Sequence, residues 1–540
     1  MRQHYLIVGQ GLAGSLLAQT LIEHEQEITV VDDAVPHSAS RVAAGIINPL
    51  AGQRMVVGPE IPQCLPFALK YYERLAAQFN QAFYYASPML RMFSDSREKD
   101  RFHARCNDKR YQDYLGEEFA AGESGEDIND AFGGFNQQQT GFLEIKSLLE
   151  HLQNSFRQQS LYINAHFNYA ALQAGKDFVE WNGRRFDHVI FCEGASAVNN
   201  PWFRWLPFQL SKGELITVAV DQVLPRKMIN RGYWVLPVSD HEAKAGASYS
   251  WDWIDNAPST TARDELLAFC SNTFSNVKNV KITDHQAAIR PTTRDKLPFI
   301  GTHPRYARLH CFNGFGSKGG MLIPFYAEAM ANNLVKDEPL PAQVNIHRFL
   351  NSNSLVVLAR QYLSEHIFPG DIVIDATVGN GHDTELLARC VGNNGHVFGF
   401  DIQQSALTNT QRRITRESLG NRVTLFKIDH ANMTANFKKD MHGKVSAVVF
   451  NLGFLPGADK NCTTQADTTL EALQHAVELI KREGSIVVMT YSGHECGKKE
   501  TQIVKQWVAE LDKLRFECRT IDAFGKADAP TLIIITKIKN

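Results

Sequence analysis

The chain has 540 residues, too many for one hydrophobic core, so two or three domains are expected. Apolar residues make up 44%, charged residues 21%, and the formal net charge is −2. That is the balance of an ordinary globular protein, and it carries no bulk electrostatic signature of a nucleic-acid partner, although local patches decide phosphate contacts. Nine cysteines without a CxxC argue against a disulfide framework, and 19 histidines without HExxH or Cys/His ligand spacing argue against a structural metal. No stretch reaches the roughly 18 uninterrupted apolar residues of a membrane span, and the first twenty residues lack the basic start of a signal peptide. We therefore expect a reduced cytoplasmic protein with no membrane contact.

The elements follow in chain order. HYLIVGQG reads as a buried strand running into a glycine turn, residues 13–24 as a helix, and EITVVDD (27–33) as a second strand ending in acid. The region from Phe67 to about Glu150 reads as helical and mixed. DHVIFCEGAS (187–196) is another buried strand with a small-residue turn. ELITVAV and GYWVLPV, within 205–255, alternate as in an antiparallel sheet. RLHCFNGFGSKGG leads into the helix MLIPFYAEAMANNLV. The polar stretch 336–354 carries two prolines and reads as a join. After it, seven strands alternate with helices: DIVIDA, HVFGFD, RVTLFKID, VSAVVFNL, SIVVMTY, FECRTIDAF and TLIIITKI. Such alternation implies a doubly wound sheet, and the fold class is α/β.

Gly9, Gly11 and Gly14 form GxGxxG between a strand and a helix, and Asp32 ends the next strand. The glycines permit a tight turn, close backbone approach to a pyrophosphate and helix–strand packing; the acid suits a ribose hydroxyl. This pattern does not choose between NAD and FAD. SRVAAGIINP (40–49), IRPTTRDKLPFIG and LHCFNGFGSKGGMLIPFYAEAMANNL together resemble the FAD-dependent D-amino-acid oxidase family, which includes glycine and sarcosine oxidases. The resemblance covers about residues 1–340 and implies an FAD-binding Rossmann-type fold with an antiparallel substrate sheet. It implies a cofactor part near 1–75, 145–200 and 285–340, with the substrate part between. It places Ser40, Gly45, Gly194, Gly314, Gly316, Ser317, Lys318, Gly319 and Gly320 around the flavin. Enzymes of this family take a hydride from the carbon beside a neutral amine, and an arginine holds the substrate carboxylate through a bidentate fork. Arg290 matches that position, with Arg294 and Lys318 in reserve; the competing reading leaves Arg290 in a salt bridge near the flavin. Tyr233 either lines the substrate pocket or sits in the core. PTTRDKLPFIG, NGFGSKGG and EPLP further resemble the oxidoreductase half of the MnmC family of bifunctional tRNA 5-methylaminomethyl-2-thiouridine biosynthesis enzymes.

DATVGNGHD (375–383) is a second glycine turn, placed where S-adenosyl-L-methionine (SAM) methyltransferases put their first loop. Asp375, Thr377, Gly379 and Gly381 would meet the methionine part, Asp401 the ribose, and Asp429 with His430 the adenine. In FNLGFLPGADK (450–460), Asn451 ends the fourth strand, as in methyltransferases acting on nitrogen, and would orient an amine. His494 would accept a proton or shape the pocket. Asp459 and Lys460 lie in a loop that could close over the site. GNGHD, DIQ, DHANM, FNLGFLPGADK and YSGHECG together resemble a small rRNA-methylase family associated with tRNA 5-aminomethyl-2-thiouridine methyl transfer (MnmM) over about 352–540. The resemblance implies a class I Rossmann-like methyltransferase with a seven-stranded sheet. One departure is FGKADAPTL, which has the single Pro530 where that family carries a Pro-Pro stretch.

These readings divide the chain into an oxidoreductase domain (1–340), a linker (341–353) and a methyltransferase domain (354–540). They converge on a wobble uridine bearing a carboxymethylaminomethyl group, which is chemically an N-substituted glycine. The cofactors would be FAD and SAM. The partner would be a tRNA anticodon stem-loop and not DNA, and the chain a monomer. Arg226, Lys227, Arg412, Arg413, Arg416, Lys438, Lys439, Lys498 and Lys499 are candidates for phosphate contacts, each in competition with a solvated surface charge. Trp202, Trp205, Trp234, Trp251 and Trp253 are candidates for base stacking, in competition with core packing. A small-molecule amine oxidase fused to an amine methyltransferase, or a non-catalytic RNA-binding scaffold, are the alternatives.

Overall fold

Two strand–glycine–helix turns each open a parallel sheet in a separate unit of the computed structural model. Contacts divide the chain into Met1–Ala197 with Phe208–Asn345, and Val198–Pro207 with Ile346–Asn540. The structure describes residues 2–52, 54–125, 128–251, 255–274, 279–351, 355–437, 441–453, 464–493, 495–522 and 530–539. Among these, no helix is long and apolar enough to cross a membrane.

In the first unit a six-stranded sheet runs in the order Tyr162–Asn164, Glu27–Asp32, His4–Val8, His188–Phe191, Leu309–Asn313 and Phe299–Thr302. All pairings are parallel except the last. Tyr5, Leu6 and Ile7 are fully buried, as expected of a strand covered on both faces. Helix Leu12–Glu23 buries Leu12, Leu16, Leu17 and Leu21 against this core, and helix Gly319–Lys336 packs beside it. The chain leaves the central strand in opposite directions, toward Glu27–Asp32 on one side and His188–Phe191 on the other. The crevice at those carboxyl ends is where open α/β sheets take ligands. Gly9 and Gly194 both sit there.

A second sheet of eight strands runs in the order Val280–Arg290, Ser211–Val220, Glu242–Gly246, Tyr233–Pro237, Met228–Arg231, Met89–Met92, Gly134–Gln137 and Leu115–Phe119. The strands within 205–255 pair antiparallel as expected, and the sheet becomes mixed where Met228–Arg231 pairs in parallel with Met89–Met92. The sequence also concealed three of its strands inside the region read as helical and mixed. Those strands are only four or five residues long, too short for a clear period-two signal. Alternation gives this sheet two unlike faces. Ile216, Val218, Val235, Ala243 and Ala245 meet Leu266, Phe269 and Cys270 of helix Thr260–Thr273. Leu215, Ala288 and Trp234 face the other way and meet Val42, just past the first sheet's second strand.

The second unit contains a seven-stranded sheet. Its order is Val423–Phe426, His396–Phe400, Ile372–Asp375, Val445–Asn451, Ile480–Thr490, Thr531–Lys537 and Phe516–Asp522. Every pairing is parallel except those of Thr531–Lys537, which is antiparallel to both neighbours. The strand order reverses between Ile372–Asp375 and Val445–Asn451, and the ends of both carry residues singled out above: Asp375 and Asn451. Val448, Phe450, Ile486, Val488 and Ile533 fill one side of this sheet. Val373, Val397, Ala447, Val487 and Ile534 fill the other.

Two candidate cofactor sites

Backbone closeness, not side chains, shapes the first site. Gly9 has φ +100°, and a Cβ there would lie 2.6 Å from the carbonyl oxygen of Cys192. On Gly14 it would lie 1.9 Å from the carbonyl oxygen of Gly9, so any side chain would lift the helix off the strand. Gly11 precedes the helix and has no side chain to cap it, so the first N–H is answered from elsewhere in the chain. Ser40 Oγ accepts a hydrogen bond from the Leu12 N–H at 3.0 Å. Asp32 accepts one N–H at each carboxylate oxygen, from Gln10 at 2.7 Å and from Ala34 at 2.7 Å. Each oxygen keeps a further lone pair for a hydroxyl. Asn313 joins the turns that follow two strands: its Nδ2 donates to the Gly194 carbonyl at 2.9 Å, and its Oδ1 accepts the Gly314 N–H at 2.8 Å. Gly194, Gly314 and Gly316 all have positive φ. Gly45 packs so tightly that a Cβ would stand 1.9 Å from the Leu143 carbonyl oxygen. Gly316, Ser317 and Lys318 form a short helix that continues into the long helix opening at Gly319. The result is a cradle of backbone whose chemistry suits a dinucleotide.

Arg290 ends the strand Val280–Arg290, opposite Ser211. Its guanidinium lies across Gly213, where a Cβ would stand 2.0 Å from Nη2. Nη1 donates to the Ser248 carbonyl at 3.2 Å, and the guanidinium carbon lies 4.6 Å from the centre of the Tyr249 ring. No carboxylate among the described residues pairs with it. Burial pulls its pKa below the ordinary arginine value, partly offset by Tyr249. A half-buried cation with no carboxylate partner and donors to spare has the chemistry to receive an anion.

In the second site Asp375 is 1% exposed and accepts from Thr384 Oγ1 at 2.6 Å and the Thr377 N–H at 3.2 Å. Burial, then Asp383 and Asp401, push its carboxyl up to about 7. Gly379 and Gly381 have φ of +52° and +75°. The Gly379 N–H donates to Asp401 Oδ2 at 2.9 Å, and Asp401 Oδ1 accepts the Gln403 N–H at 2.8 Å. Asp429 accepts the Ala431 N–H at 2.9 Å. His430 is 8% exposed, its ring 5.9 Å from Phe450, and its Nε2 has no hydrogen-bond partner among the described residues. An orphaned buried nitrogen beside an acid at a strand end fits a ligand with complementary polar edges, such as adenine. At the neighbouring strand end Thr377 Oγ1 accepts the Asn451 N–H at 2.7 Å.

A family model described as "FAD dependent oxidoreductase" matches residues 4–333, more than half of the chain. The chain belongs to the FAD dependent oxidoreductase family. A second model, "Putative rRNA methylase", matches residues 397–537 of this FAD dependent oxidoreductase, so it also carries a methyltransferase domain. It is 34% identical over 180 residues to the "tRNA (mnm(5)s(2)U34)-methyltransferase, chloroplastic" of Arabidopsis thaliana, covering 32% of this chain and 65% of that protein. It is 22% identical to the "tRNA 5-methylaminomethyl-2-thiouridine biosynthesis bifunctional protein MnmC" of Shewanella halifaxensis, covering 65% of this chain and 62% of that protein. The chain thus spans less than two thirds of either relative. The fold of its first unit is shared with the iminodiacetate oxidase of Chelativorans sp. BNC1, at a TM-score of 0.54 and 19% identity over 63% of this chain and 97% of that one.

The structure gathers Gly9, Gly11, Gly14, Asp32, Ser40 and the 314–319 turn of this FAD dependent oxidoreductase at one sheet edge. Asp375, Gly379, Gly381, Asp401 and Asn451 gather at the other. Lys318 is committed differently from the reserve role considered for it: its Nζ pairs with Glu60 at 3.2 Å. Arg294 is exposed. Tyr233 does not share the face of Arg290; its hydroxyl donates to Glu265 at 3.0 Å and its ring packs on Phe269, because it alternates with Trp234. His494, Asp459, Lys460, Lys438, Lys439 and Trp253 lie outside the described residues. Among the basic candidates Arg226 pairs with Asp240, Arg413 with Glu385 and Arg416 with Glu417, so these charges are already answered. Arg412, Lys227 and Lys499 are exposed. Trp205 is buried.

Sequence reading missed two residues of the second site. Asn451 Nδ2 donates to Asp383 Oδ2 at 3.2 Å. Arg360, on the helix before the first strand, donates to Asp383 Oδ1 through Nε at 3.0 Å and Nη2 at 2.9 Å. Asp383 stands in the quoted GNGHD, but only the fold brings it to Asn451.

Proposed function

We propose that this chain modifies the wobble uridine of tRNA in two steps. The first removes the carboxymethyl group of 5-carboxymethylaminomethyl-(2-thio)uridine; the second methylates the exposed primary amine to 5-methylaminomethyl-(2-thio)uridine. The observation that carries this reading is the pairing, on one chain, of an anion-receptive Arg290 beside a dinucleotide cradle with an amide-bearing Asn451 beside a second cofactor cradle. Similarity of the two parts to an MnmC protein and to a tRNA methyltransferase supports it.

FAD, when bound, accepts the hydride released from the carbon beside the amine. Gly9, Gly11, Gly14, Asp32, Ser40, Gly45, Gly194, Gly314, Gly316, Ser317 and Gly319 would hold it. Arg290 grips the substrate carboxylate through a two-pronged contact and so fixes which C–N bond is presented. The amine gives up its N–H proton, the carbon gives up a hydride, and a C=N bond forms. Water adds to that imine, the C–N bond breaks, and glyoxylate leaves with a primary aminomethyl group remaining on the base.

SAM, when bound, supplies the methyl group. Asp375, Thr377, Gly379, Gly381, Asp401, Asp429 and His430 would hold it. A free alkyl amine resembling lysine titrates near ~10, so the site must favour the neutral form by desolvation. Asn451 does the aiming. Its Nδ2 is occupied by Asp383, so its Oδ1 is the face left to accept an amine N–H and direct the lone pair along the line of methyl transfer. His494 is the candidate proton acceptor and Asp459 a candidate for the closing loop. For either pocket to act, the anticodon base must be splayed out of its stack.

The test is to mix purified protein with tRNA from cells lacking the final wobble steps and to read the wobble nucleosides by mass spectrometry. Aminomethyl product without SAM and methylaminomethyl product with it are expected. An unchanged wobble base from a protein that still oxidises free glycine or sarcosine would overturn the reading in favour of a small-molecule amine oxidase.

A further inference from the structure

Beyond Arg290, the same sheet face carries two exposed aromatic rings. Residues 248–251 run beside the start of strand Ser211–Val220. The Ser248 N–H donates to the Glu214 carbonyl at 3.1 Å, the Ser250 N–H to the Lys212 carbonyl at 3.1 Å, and the Lys212 N–H returns to Ser250 at 2.9 Å. Period-two alternation then sets Ser250 on the face of Lys212, and Tyr249 and Trp251 on the face of Gly213, Ala288 and Arg290. The position of the Arg290 guanidinium over the Tyr249 ring agrees. Tyr249 and Trp251 lie 4.9 Å apart between ring centres, tilted by 49°. They are 46% and 50% exposed, whereas Leu215 and Ala288, further along this face, are 5% and 4% exposed. The face therefore runs from a closed floor beside Val42, past the arginine, to an open aromatic rim.

We propose that Tyr249 and Trp251 form a stacking subsite for the pyrimidine ring of the substrate, adjoining the carboxylate grip of Arg290. This rests on the proposed tRNA reading and names what the oxidoreductase unit recognises besides the N-substituted glycine arm. The reach fits. Four bonds separate the ring carbon from the carboxylate carbon of a carboxymethylaminomethyl arm, about 5 Å when extended at ~1.5 Å per bond. The guanidinium carbon and the Tyr249 ring centre are 4.6 Å apart. One face of Tyr249 is covered by the Arg290 guanidinium, so a substrate whose carboxylate engages Arg290 would extend its ring past that pair toward the exposed Trp251. Glycine or sarcosine, gripped in the same way, places nothing there. Stacking on aromatic side chains is sequence-tolerant and strong enough to change binding by tenfold or more per base.

The test compares anaerobic flavin bleaching of the full chain by two probes, 5-carboxymethylaminomethyluridine nucleoside and N-ethylglycine, which keeps the amine and carboxylate but lacks a ring. In wild type the nucleoside is expected to half-saturate at least tenfold lower than N-ethylglycine. In Trp251→Ala that ratio falls toward one, and Trp251→Phe restores most of it. Trp251→Leu, which keeps bulk but not the aromatic face, should behave like the alanine variant. A ratio that survives both the alanine and leucine changes overturns the stacking subsite. A wild-type protein bleached by N-ethylglycine but not by the nucleoside overturns the tRNA reading itself, so the two failures are distinguishable.

Discussion

Asp375 is an ionisable group in a place hostile to its charge, and the cost can be worked through. Its ordinary carboxyl value is 3.8, and burial together with Asp383 and Asp401 raises it to about 7, against the opposing hydrogen bonds from Thr384 and Thr377. Between those values the folded protein keeps a proton that the unfolded chain releases. Stability therefore falls as pH rises from about 4 to about 7, then levels off. At ~1.4 kcal/mol per pH unit the full penalty above pH 7 is about 4 kcal/mol, of which about 2.5 kcal/mol develops between pH 5 and 8. For a unit of this size that is roughly 5–10 °C in melting temperature. Asp375→Asn removes the titration and keeps the shape. The melting temperature of the variant minus that of wild type, followed by differential scanning calorimetry without SAM, should rise by that amount from pH 5 to 8. SAM, whose α-ammonium favours the carboxylate, should reverse the trend: by isothermal titration calorimetry, wild-type affinity grows up to tenfold per pH unit below 7 and flattens above. A difference curve flat from pH 5 to 8 would refute the electrostatic reasoning.

Gly14→Ala should yield colourless protein, since the added methyl needs space held by the Gly9 carbonyl; absorbance at the flavin band reads this directly. Gly213→Ala should retain flavin but displace Arg290, raising the half-saturating concentration of an amino-acid-like substrate about 10- to 100-fold, the worth of a charged hydrogen-bonded pair; an unchanged value would remove Arg290 from substrate binding. Asp383→Ala should free the Asn451 amide and lower the methyl-transfer kcat about tenfold or more with little change in SAM affinity. Asp383→Asn, which can still accept from Nδ2, should recover part of it, and equal losses in the two variants would argue for a merely structural role.

Some of this was written locally in the chain and some was not. GxGxxG and GNGHD declare themselves because their glycines stand within a few residues of one another between a strand and a helix, and five of the seven strands of the second sheet are largely buried runs bounded by turns. The strand-end positions of Asp32, Asp375, Asp401 and Asn451 were legible because each closes or directly follows such a run. Which of its two readings Tyr233 takes was not legible, because one residue of register decides which face a strand side chain takes, and packing against helix Thr260–Thr273, far along the sequence, settled it. Asp383 escaped because its partners, Arg360 and Asn451, lie 23 and 68 residues away. The commitment of Arg413 to Glu385 and of Arg226 to Asp240 was equally invisible, since a charge in a sequence does not announce its counterion.

If the proposed chemistry is right, one base must visit two pockets. The methyl-transfer site needs the primary amine that the oxidative site leaves behind, and a splayed base cannot occupy both pockets at once. It must therefore withdraw from the first before entering the second. Nothing in that sequence of events requires the same chain to receive it. A mixture of Arg290→Ala and Asn451→Ala chains, each lacking one step, should thus convert carboxymethylaminomethyl tRNA fully to the methylaminomethyl form in the presence of SAM, while neither variant does so alone. Aminomethyl tRNA that accumulates in the mixture, while wild type carries it through, would mean that the tRNA is retained by one chain between the steps. The physical link between the two units, and not only the pair of chemistries, would then be part of the mechanism.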